Sequence, residues 1–547
     1  MTKSFGADVE VTKQALVYIS DEMAVMLRKS AFSPNIRERA DHSCAVLDPE
    51  GRTLGQAEQI PVHIGSLPLG LKNTLRYLQK QGEIIRDGDM YVVNDPYISG
   101  THLNDVTLIG PVFVRDELVG YVANKAHHVD VGGMVPASIS PDATELWQEG
   151  MIIPPSKIID REIRQKNLIE IMKSNSRQPD FVEGDLTAQI NANRLGRERF
   201  SSLVGRIGVG RFERISTSVL DHAEALVKAE YSRMPKGTWT GEDFLELNDE
   251  LLKIRAEVTF SNGRVYADFR GTAAQVEAPL NAVYGVTVAA VSYAIKSLVA
   301  SRPRAPSIPL NDGFNRTVSV VADPGLLVNP TKPAPVAAGN LETSQRIVDV
   351  IYRALAEALP DLVPAASHGS MNNLMMGGHN PETGKRWTFY ETIGGGSGAR
   401  PEMDGIDGIQ VNMTNTLNTP IEVMEYYYPL RFESYGFRDG SGGQGKWRGG
   451  VGIVRSFTAT SRIKVTVLGD RSRIPPWGLR GGSDGSTSSY AILRKNGITE
   501  KLPSKKTSIL EEGDRLTIET AGGGGFGDRK LRTPNELASD EDYGYSR

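Results

Sequence analysis

His102, Asp105 and His127 fall in one stretch, NDPYISGTHLNDVTLIGPVFVRDELVGYVANKAHHVD, from Asn94 to Asp130. Two imidazoles and a carboxylate form a donor set for a divalent first-row ion such as zinc, iron or manganese, with positions left for water or substrate. What could bring them together is a β-hairpin. Asp105 to Val114 and Leu118 to His127 are rich in β-branched and aromatic residues, and the polar turn Arg115-Asp116-Glu117 lies between them. If Val114 faces Leu118, antiparallel pairing keeps the sum of paired residue numbers constant and sets Asp105 opposite His127, with Cβ atoms roughly 5 Å apart. His102, just beyond the Gly100-Thr101 turn, can fold over the same face. A slip of one residue would present His128 to Asp105 instead and turn His127 to the other face.

Further candidates surround this set. Asp41 stands before a buried-strand pattern, Ser43 to Leu47, and is a fourth ligand or else a cap. Glu149 closes the run ATELWQEG, which predicts a short helix ending at Gly150; it and His128 are the candidate acid–base residues, and the plainer reading of Glu149 is a charged residue in a last helical turn. His63, Glu342 and Ser344 are candidate substrate contacts. In GNLETSQRIVDVIYRALAEAL, Thr343 or Ser344 would cap an amphipathic helix, and such a helix start is either an anion site or an ordinary cap.

The chain's 547 residues exceed one hydrophobic core and predict a multidomain α/β (α+β) protein. Residues 1–235 read as a mixed α/β metal domain, with a helix over Val9 to Ala31 and a helical region from Pro179 to Met234. Residues 236–363 read as an α+β domain, with a β-meander after Gly237 and helices at Val286 to Ala300 and Leu341 to Leu359. Residues 364–547 read as a β-rich module of sandwich or barrel type, its glycine clusters taken as tight turns and its end, from about Arg532, as a tail.

Lys+Arg 62 against Asp+Glu 66 gives a net charge of −4 without a basic stripe, which argues against nucleic acid or an anionic membrane surface and for a small-molecule substrate or protein partner. A single cysteine, Cys44, excludes an intramolecular disulfide and cysteine-rich metal sites. With no secretion signal at the first residues and no spanning helix, these features predict a soluble, cytoplasmic protein.

Three motifs fail on inspection. GSGGQGK, Gly440 to Lys446, has P-loop spacing, but Trp447 stands where Ser or Thr should hold magnesium. The glycine runs Gly394 to Gly398 and Gly522 to Gly525 lack the strand–loop–helix setting of a dinucleotide fingerprint. Gly481 to Gly485 matches Gly-x-Ser-x-Gly, with no helix after it and no histidine downstream. If ATP is used, another polypeptide binds it.

Taken together, SPNIRERADHSCAVLD, IPVHIGSLP, NDPYISGTHLNDVTLIGPVF, AHHVDVGG, QEGMIIPP, NLETSQRIVDVI, ETIGGGSGARPEMDGIDGIQVNMTNTLNTPIEVME, YPLRFESYGFRDGSGGQGKWRGG, DRSRIPPWGLRGG and AGGGGFGD make the chain resemble the hydantoinase B or oxoprolinase B-type subunits, relatives of the large subunits of ATP-dependent ketone carboxylases. The resemblance runs in family order over nearly the whole chain. It implies an enzyme working with a hydantoinase A-like subunit of actin/ATPase fold, in an α2β2 or similar assembly, where that partner binds ATP and magnesium and phosphorylates an amide or carbonyl oxygen. The family's metal ligands fall on His102, Asp105 and His127, with Asp41 as a fourth. The compact length matches the hydantoinase and lactamase-like members, and the favoured expectation is ATP-dependent opening of a hydantoin, oxoproline or lactam ring by attack of water whose pKa the ion lowers. Ketone carboxylation using bicarbonate is the second expectation, and a scaffold subunit with a structural metal the third.

Overall fold

A computed structural model describes residues 3–57 and 59–545 of the chain. The first region is organised on a seven-stranded antiparallel sheet, in the order Thr53–Gln56, His42–Leu47, Glu117–His127, Asp105–Val114, Met90–Val93, Ser156–Asp160 and Ile163–Arg164. The expected hairpin is its centre. Strand alternation divides its side chains between two cores. Cys44, Val46, Val122 and Ala126 face the helices Lys3–Ser30 and Pro179–Ile207. Ala45, Leu47, Tyr121 and Ala123 face the opposite way, onto Leu67 and Leu71 of the helix Ser66–Lys80. His127 is odd-numbered like the second set and His128 even-numbered like the first, so the two side chains leave the sheet on opposite faces.

The hairpin corrects the expectation at its tip. Its turn has two residues, Arg115 and Asp116, both with positive φ, and Val114 pairs with Glu117 rather than Leu118. A regular ladder counted from that turn would set Asp105 opposite Ala126. A bulge at Val119, between the pairs Phe113–Leu118 and Val112–Gly120, takes up one residue, and Asp105 meets His127 as the sequence predicts.

The helical stretch after Pro179 is two helices, Pro179–Ile207 and Val209–Tyr231, broken at Gly208, whose φ is +88°. Next come Gly237–Leu247, Glu250–Ser261 and Arg264–Asp268, the expected meander, joined by Val318–Val321 in parallel to the third strand. The helices Tyr284–Ala300 and Ser344–Leu355 pack with this sheet in a hydrophobic core running from Ile60 to Trp477. The last region is a sandwich. One sheet orders Arg386–Thr392, Asn373–His379, Ile463–Leu468 and Lys505–Leu510; the other orders Leu430–Phe437, Ile453–Ala459, Arg515–Glu519, Ser489–Leu493 and Thr499–Leu502. Phe389 and Val465 of the first share a core with Phe457, Ile492 and Leu516 of the second.

Most of the glycine runs in this region are not turns. Gly394 to Gly398, Gly449-Gly450 and Gly522 to Gly525 lie side by side, linked by hydrogen bonds such as Gly450 N–H to the Ser397 carbonyl and Gly523 N–H to the Gly450 carbonyl, both 2.9 Å. A Cβ on Gly396 would overlap the Gly450 carbonyl oxygen, and one on Gly523 the Ser397 carbonyl oxygen. Glycine is needed there for close backbone approach. Nor is the end a loose tail: Pro534–Asp542 is helical, and Arg532 is clamped between Asp404 and Asp540 at 2.7 to 3.0 Å. Among the described residues no helix is long and apolar enough to cross a membrane.

Candidate metal centre

Three elements deliver the candidate ligand atoms. The hairpin supplies Asp105 and His127 as a directly opposed pair. The helical turn Pro96–Ser99, stopped by Gly100 at φ +82°, leads into His102. Lys125, on the strand of His127, ties this turn down by donating to the Ser99 carbonyl at 3.0 Å and to Thr101 Oγ1 at 2.7 Å. The strand His42–Leu47 pairs with Glu117–His127, and the peptide before it brings in Asp41, whose carbonyl accepts from His127 N–H at 3.1 Å.

His102 Nε2 lies 3.2 Å from Asp105 Oδ1 and 3.2 Å from His127 Nδ1, and His127 Nδ1 lies 3.4 Å from Asp105 Oδ1. All three side chains are buried. Donors about 2.1 Å from one ion stand about 3.4 Å apart in a tetrahedron and about 3.0 Å apart in an octahedron, so this triangle has the size of a coordination face. Its hydrogen bonding agrees. His102 Nδ1 lies 3.3 Å from the Ala337 carbonyl, which can only accept, so Nδ1 carries the proton and the neutral ring turns the Nε2 lone pair toward a carboxylate oxygen that also only accepts. A cation between them, or a second proton on the His102 ring, resolves that conflict. Asp41 Oδ2, 3.9 Å from His127 Nδ1, is placed to join as a fourth donor.

Without an ion, the three groups are coupled by charge. Burial penalises a charged Asp105, but the adjacent His102 outweighs it and holds the carboxyl well below its ordinary pKa. At His102 burial is likewise outweighed, by Asp105, and the pKa rises; at His127 burial prevails and the pKa falls. His63 sits behind Asp105, its Nε2 3.4 Å from Oδ2 and its Nδ1 2.9 Å from Ser43 Oγ, where it orients the carboxylate.

The remaining sequence candidates divide. Glu149 follows a single 3-10 turn, Leu146–Gln148, rather than the predicted helix, and its side chain points inward. Its Oε1 accepts from Ala337 N–H at 2.9 Å, from the same residue whose carbonyl holds His102, while Oε2 has no protein partner. Burial pushes this carboxyl up to about 7. His128 faces away and donates to Gln189 Oε1 at 2.9 Å, so it does not share the pocket of the three ligand atoms. Glu342 is buried farther back: its Oε1 accepts from Asn373 Nδ2 at 2.8 Å, and Asn373 Oδ1 accepts from the Tyr390 hydroxyl at 2.9 Å. Ser344 is no cap. A π-helical turn, Gly339–Thr343, runs directly into its helix, and Ser344 Oγ donates back to the Asn340 carbonyl at 2.8 Å, so the expected free helix start is absent.

Sequence reasoning missed two residues. Tyr390, from the sandwich, stacks on His127 with ring centroids 4.7 Å apart. Arg39 lies 4.7 Å over the same Tyr390 ring and 3.9 Å from Asp41. Arg39 was within reach, two positions before Asp41 in the bend that follows the turn Pro34–Arg37; Tyr390 left no local signal. A cavity of about 400 Å3 is lined in part by Pro61, Ser367, Arg400, Gln410 and Thr414. Gln410 Nε2 donates at 3.2 Å to Thr392 Oγ1, which also accepts from Arg39, so one wall of the cavity is bonded to the surroundings of the candidate ligands.

The hydantoinase B/oxoprolinase family model matches residues 6–529. The chain belongs to that family. An uncharacterized protein of Methanocaldococcus jannaschii is 47% identical over 97% of this hydantoinase B chain and 92% of its own length. 5-Oxoprolinase 1 of Arabidopsis thaliana is 33% identical over 93% of this chain, which spans only 41% of that longer protein. Among solved structures, the ATP-dependent caprolactamase of Pseudomonas jessenii superposes with a TM-score of 0.90 and 27% identity, covering 99% of this chain and 94% of that one. An acetone carboxylase chain superposes with a TM-score of 0.90 at 19% identity, over 98% of this chain and 78% of that one, and shares the multidomain α/β fold.

Proposed function

We propose that this chain is the metal-binding component of an ATP-dependent enzyme that opens a cyclic amide, a hydantoin, oxoproline or lactam, after a hydantoinase A-like polypeptide carrying ATP and magnesium has phosphorylated the amide oxygen. The observation that carries this reading is the buried triangle of His102, Asp105 and His127, whose spacing fits one ion; a cavity of substrate size is linked to its surroundings through Gln410 and Thr392. The resemblance to 5-oxoprolinase and caprolactamase supports cyclic amides as the substrate class.

His102, Asp105 and His127 would hold the ion and Asp41 would complete the set. A divalent ion in that position supplies Lewis acidity and lowers the pKa of water toward neutrality. Each protein group then has a defined task. His63 fixes the Asp105 carboxylate, and the Ala337 carbonyl fixes the tautomer of His102. Glu149, with its carboxyl near 7 and one unpartnered oxygen, can accept and return a proton at neutral pH and is the proposed general base. Tyr390 closes the centre from the sandwich side and excludes water from the back of His127.

The test is to co-express the chain with a hydantoinase A-type ATPase in the cytoplasm of a bacterial host and measure ADP release and ring opening on a hydantoin, 5-oxoproline and caprolactam, with and without bicarbonate. Metal-dependent ring opening that ignores bicarbonate is the expected result. Consumption of a ketone that requires bicarbonate, with no ring opening, would replace this reading with carboxylation.

A further inference from the structure

Four arginines are among the largest fully buried side chains of the described residues: Arg39, Arg346, Arg455 and Arg471. Three of them are neutralised at close range. Arg346 meets Asp470 at 3.0 Å, Arg471 meets Asp243 at 3.0 Å, and Arg455 meets Glu391. Arg39 differs. Its Nη1 donates to Asn35 Oδ1 at 3.2 Å and the Tyr390 carbonyl at 3.1 Å, and its Nη2 to Thr392 Oγ1 at 3.1 Å and Thr416 Oγ1 at 3.4 Å, all of them uncharged oxygens. Its Nε, like that of the other three, is buried without a partner, so what sets Arg39 apart is the missing carboxylate. The nearest carboxylate oxygen, Asp41 Oδ2, is 3.9 Å away and equally far from His127. A buried cation costs several kcal/mol unless a counter-charge meets it.

We infer that Arg39 is the anion-binding arm of this centre, receiving an oxyanion, either a phosphoryl oxygen of the activated substrate or a carboxylate that the substrate carries. The inference rests on the metal reading. With a divalent ion at His102, Asp105 and His127, the ion and Arg39 bring three positive charges against the carboxylates Asp41 and Asp105, and an excess remains for as long as Glu149, the other carboxyl acting on His102, holds its proton. An anionic ligand removes that excess. The guanidinium and His127 rest against the same Tyr390 ring, so a ligand reaching one is close to the other. One residue that holds Arg39, Thr392, is bonded to the cavity wall through Gln410. Both Nη atoms are committed to protein oxygens, so Nε–H is what remains for a single oxygen of a phosphoryl or carboxylate group.

Inorganic phosphate is the probe, with Mn2+ loaded into the full-length protein. Saturable paramagnetic broadening of the phosphate 31P signal is expected in the wild type. R39Q should weaken phosphate binding at least tenfold and R39K by less, while Mn2+ affinity stays within about threefold. Phosphate that is not broadened by bound Mn2+ in the wild type overturns the inference without any variant, so a misfolded R39Q cannot shelter it. Equal broadening in wild type and R39Q, with Mn2+ bound in both, also overturns it and leaves the metal reading intact. Failure of Mn2+ to bind at all removes the metal reading, and the inference falls with it. The two anion sources separate in kcat/KM with the ATPase partner present. Loss in R39Q on both 5-oxoproline and caprolactam assigns Arg39 to the phosphoryl group, and loss on 5-oxoproline alone assigns it to the substrate carboxylate.

Discussion

Asp105 and His127 stand directly opposite each other although the hairpin turn sets a register that would part them, and the bulge at Val119 makes up the difference. Deleting Val119 should therefore do little to the centre. The pairs Phe113–Leu118 and Val112–Gly120 become consecutive, the ladder turns regular, and Asp105 still faces His127. Metal affinity by calorimetric titration is expected within about threefold of wild type, with a loss of roughly 1–3 kcal/mol in stability from the missing buried valine. A loss of metal binding beyond about a hundredfold in a folded deletion variant would mean that the ladder does not set the site.

The ligand set predicts a graded series. H102A, H127A and D105N each remove an atom of the 3.2 to 3.4 Å triangle and should abolish stoichiometric metal binding. D41N, 3.9 Å from the nearest ligand nitrogen, and H63A, which acts on Asp105 from behind, should weaken it by roughly 10–100-fold. H128A, bonded to Gln189 on the other face of the sheet, should leave affinity unchanged. Competition against a chromophoric chelator ranks all six. An H128A effect as large as that of H127A would reverse the assignment of faces.

The sequence was informative wherever function is local. Asp105 and His127 are joined by a short turn, so alternation and antiparallel counting place them, even though the count was off at the tip and a bulge cancelled the error. His102 and Asp41 follow because both lie within a few residues of that sheet. Tyr390 could not be foreseen, because it reaches His127 from a strand more than 250 positions later, and no periodicity encodes an approach between domains. The glycine clusters misled for a related reason. A turn glycine and a glycine that lets two backbones touch look alike in one dimension. Glu149 shows the limit for single side chains: a charged residue before a glycine reads as solvent-facing, and only the fold reveals that it points inward.

Glu342 and Asp349 set a pH dependence of stability. Burial raises both carboxyls, to about 7 and about 8, so the folded chain keeps protons that the unfolded chain releases near pH 4. Where the native state binds more protons, stability falls as pH rises, here between about pH 4 and pH 8. E342Q removes one such group and replaces the unpartnered Oε2 with an uncharged atom. The urea midpoint of wild type should drop between pH 5 and pH 8, and that of E342Q should drop less, by up to about 3 kcal/mol of the difference. Identical slopes for the two proteins would show that Glu342 titrates normally.

The glycine packing in the sandwich region gives the last prediction. If Gly523 were a turn former, its backbone would need a conformation that alanine avoids; Gly523 has no positive φ, so on that account alanine would be tolerated. In the fold a Cβ there would overlap the Ser397 carbonyl oxygen, which is backbone and bonded to Gly450 N–H at 2.9 Å. The overlap can be relieved only by moving one extended segment away from another, which breaks hydrogen bonds along both. G523A should therefore cost about 3 kcal/mol or more, as overpacking against rigid neighbours does, whereas alanine at Gly384, at φ +67° and with open space around it, should cost about 1 kcal/mol. Thermal midpoints of the two variants decide between these accounts, and G523A melting no lower than G384A would refute the packing one.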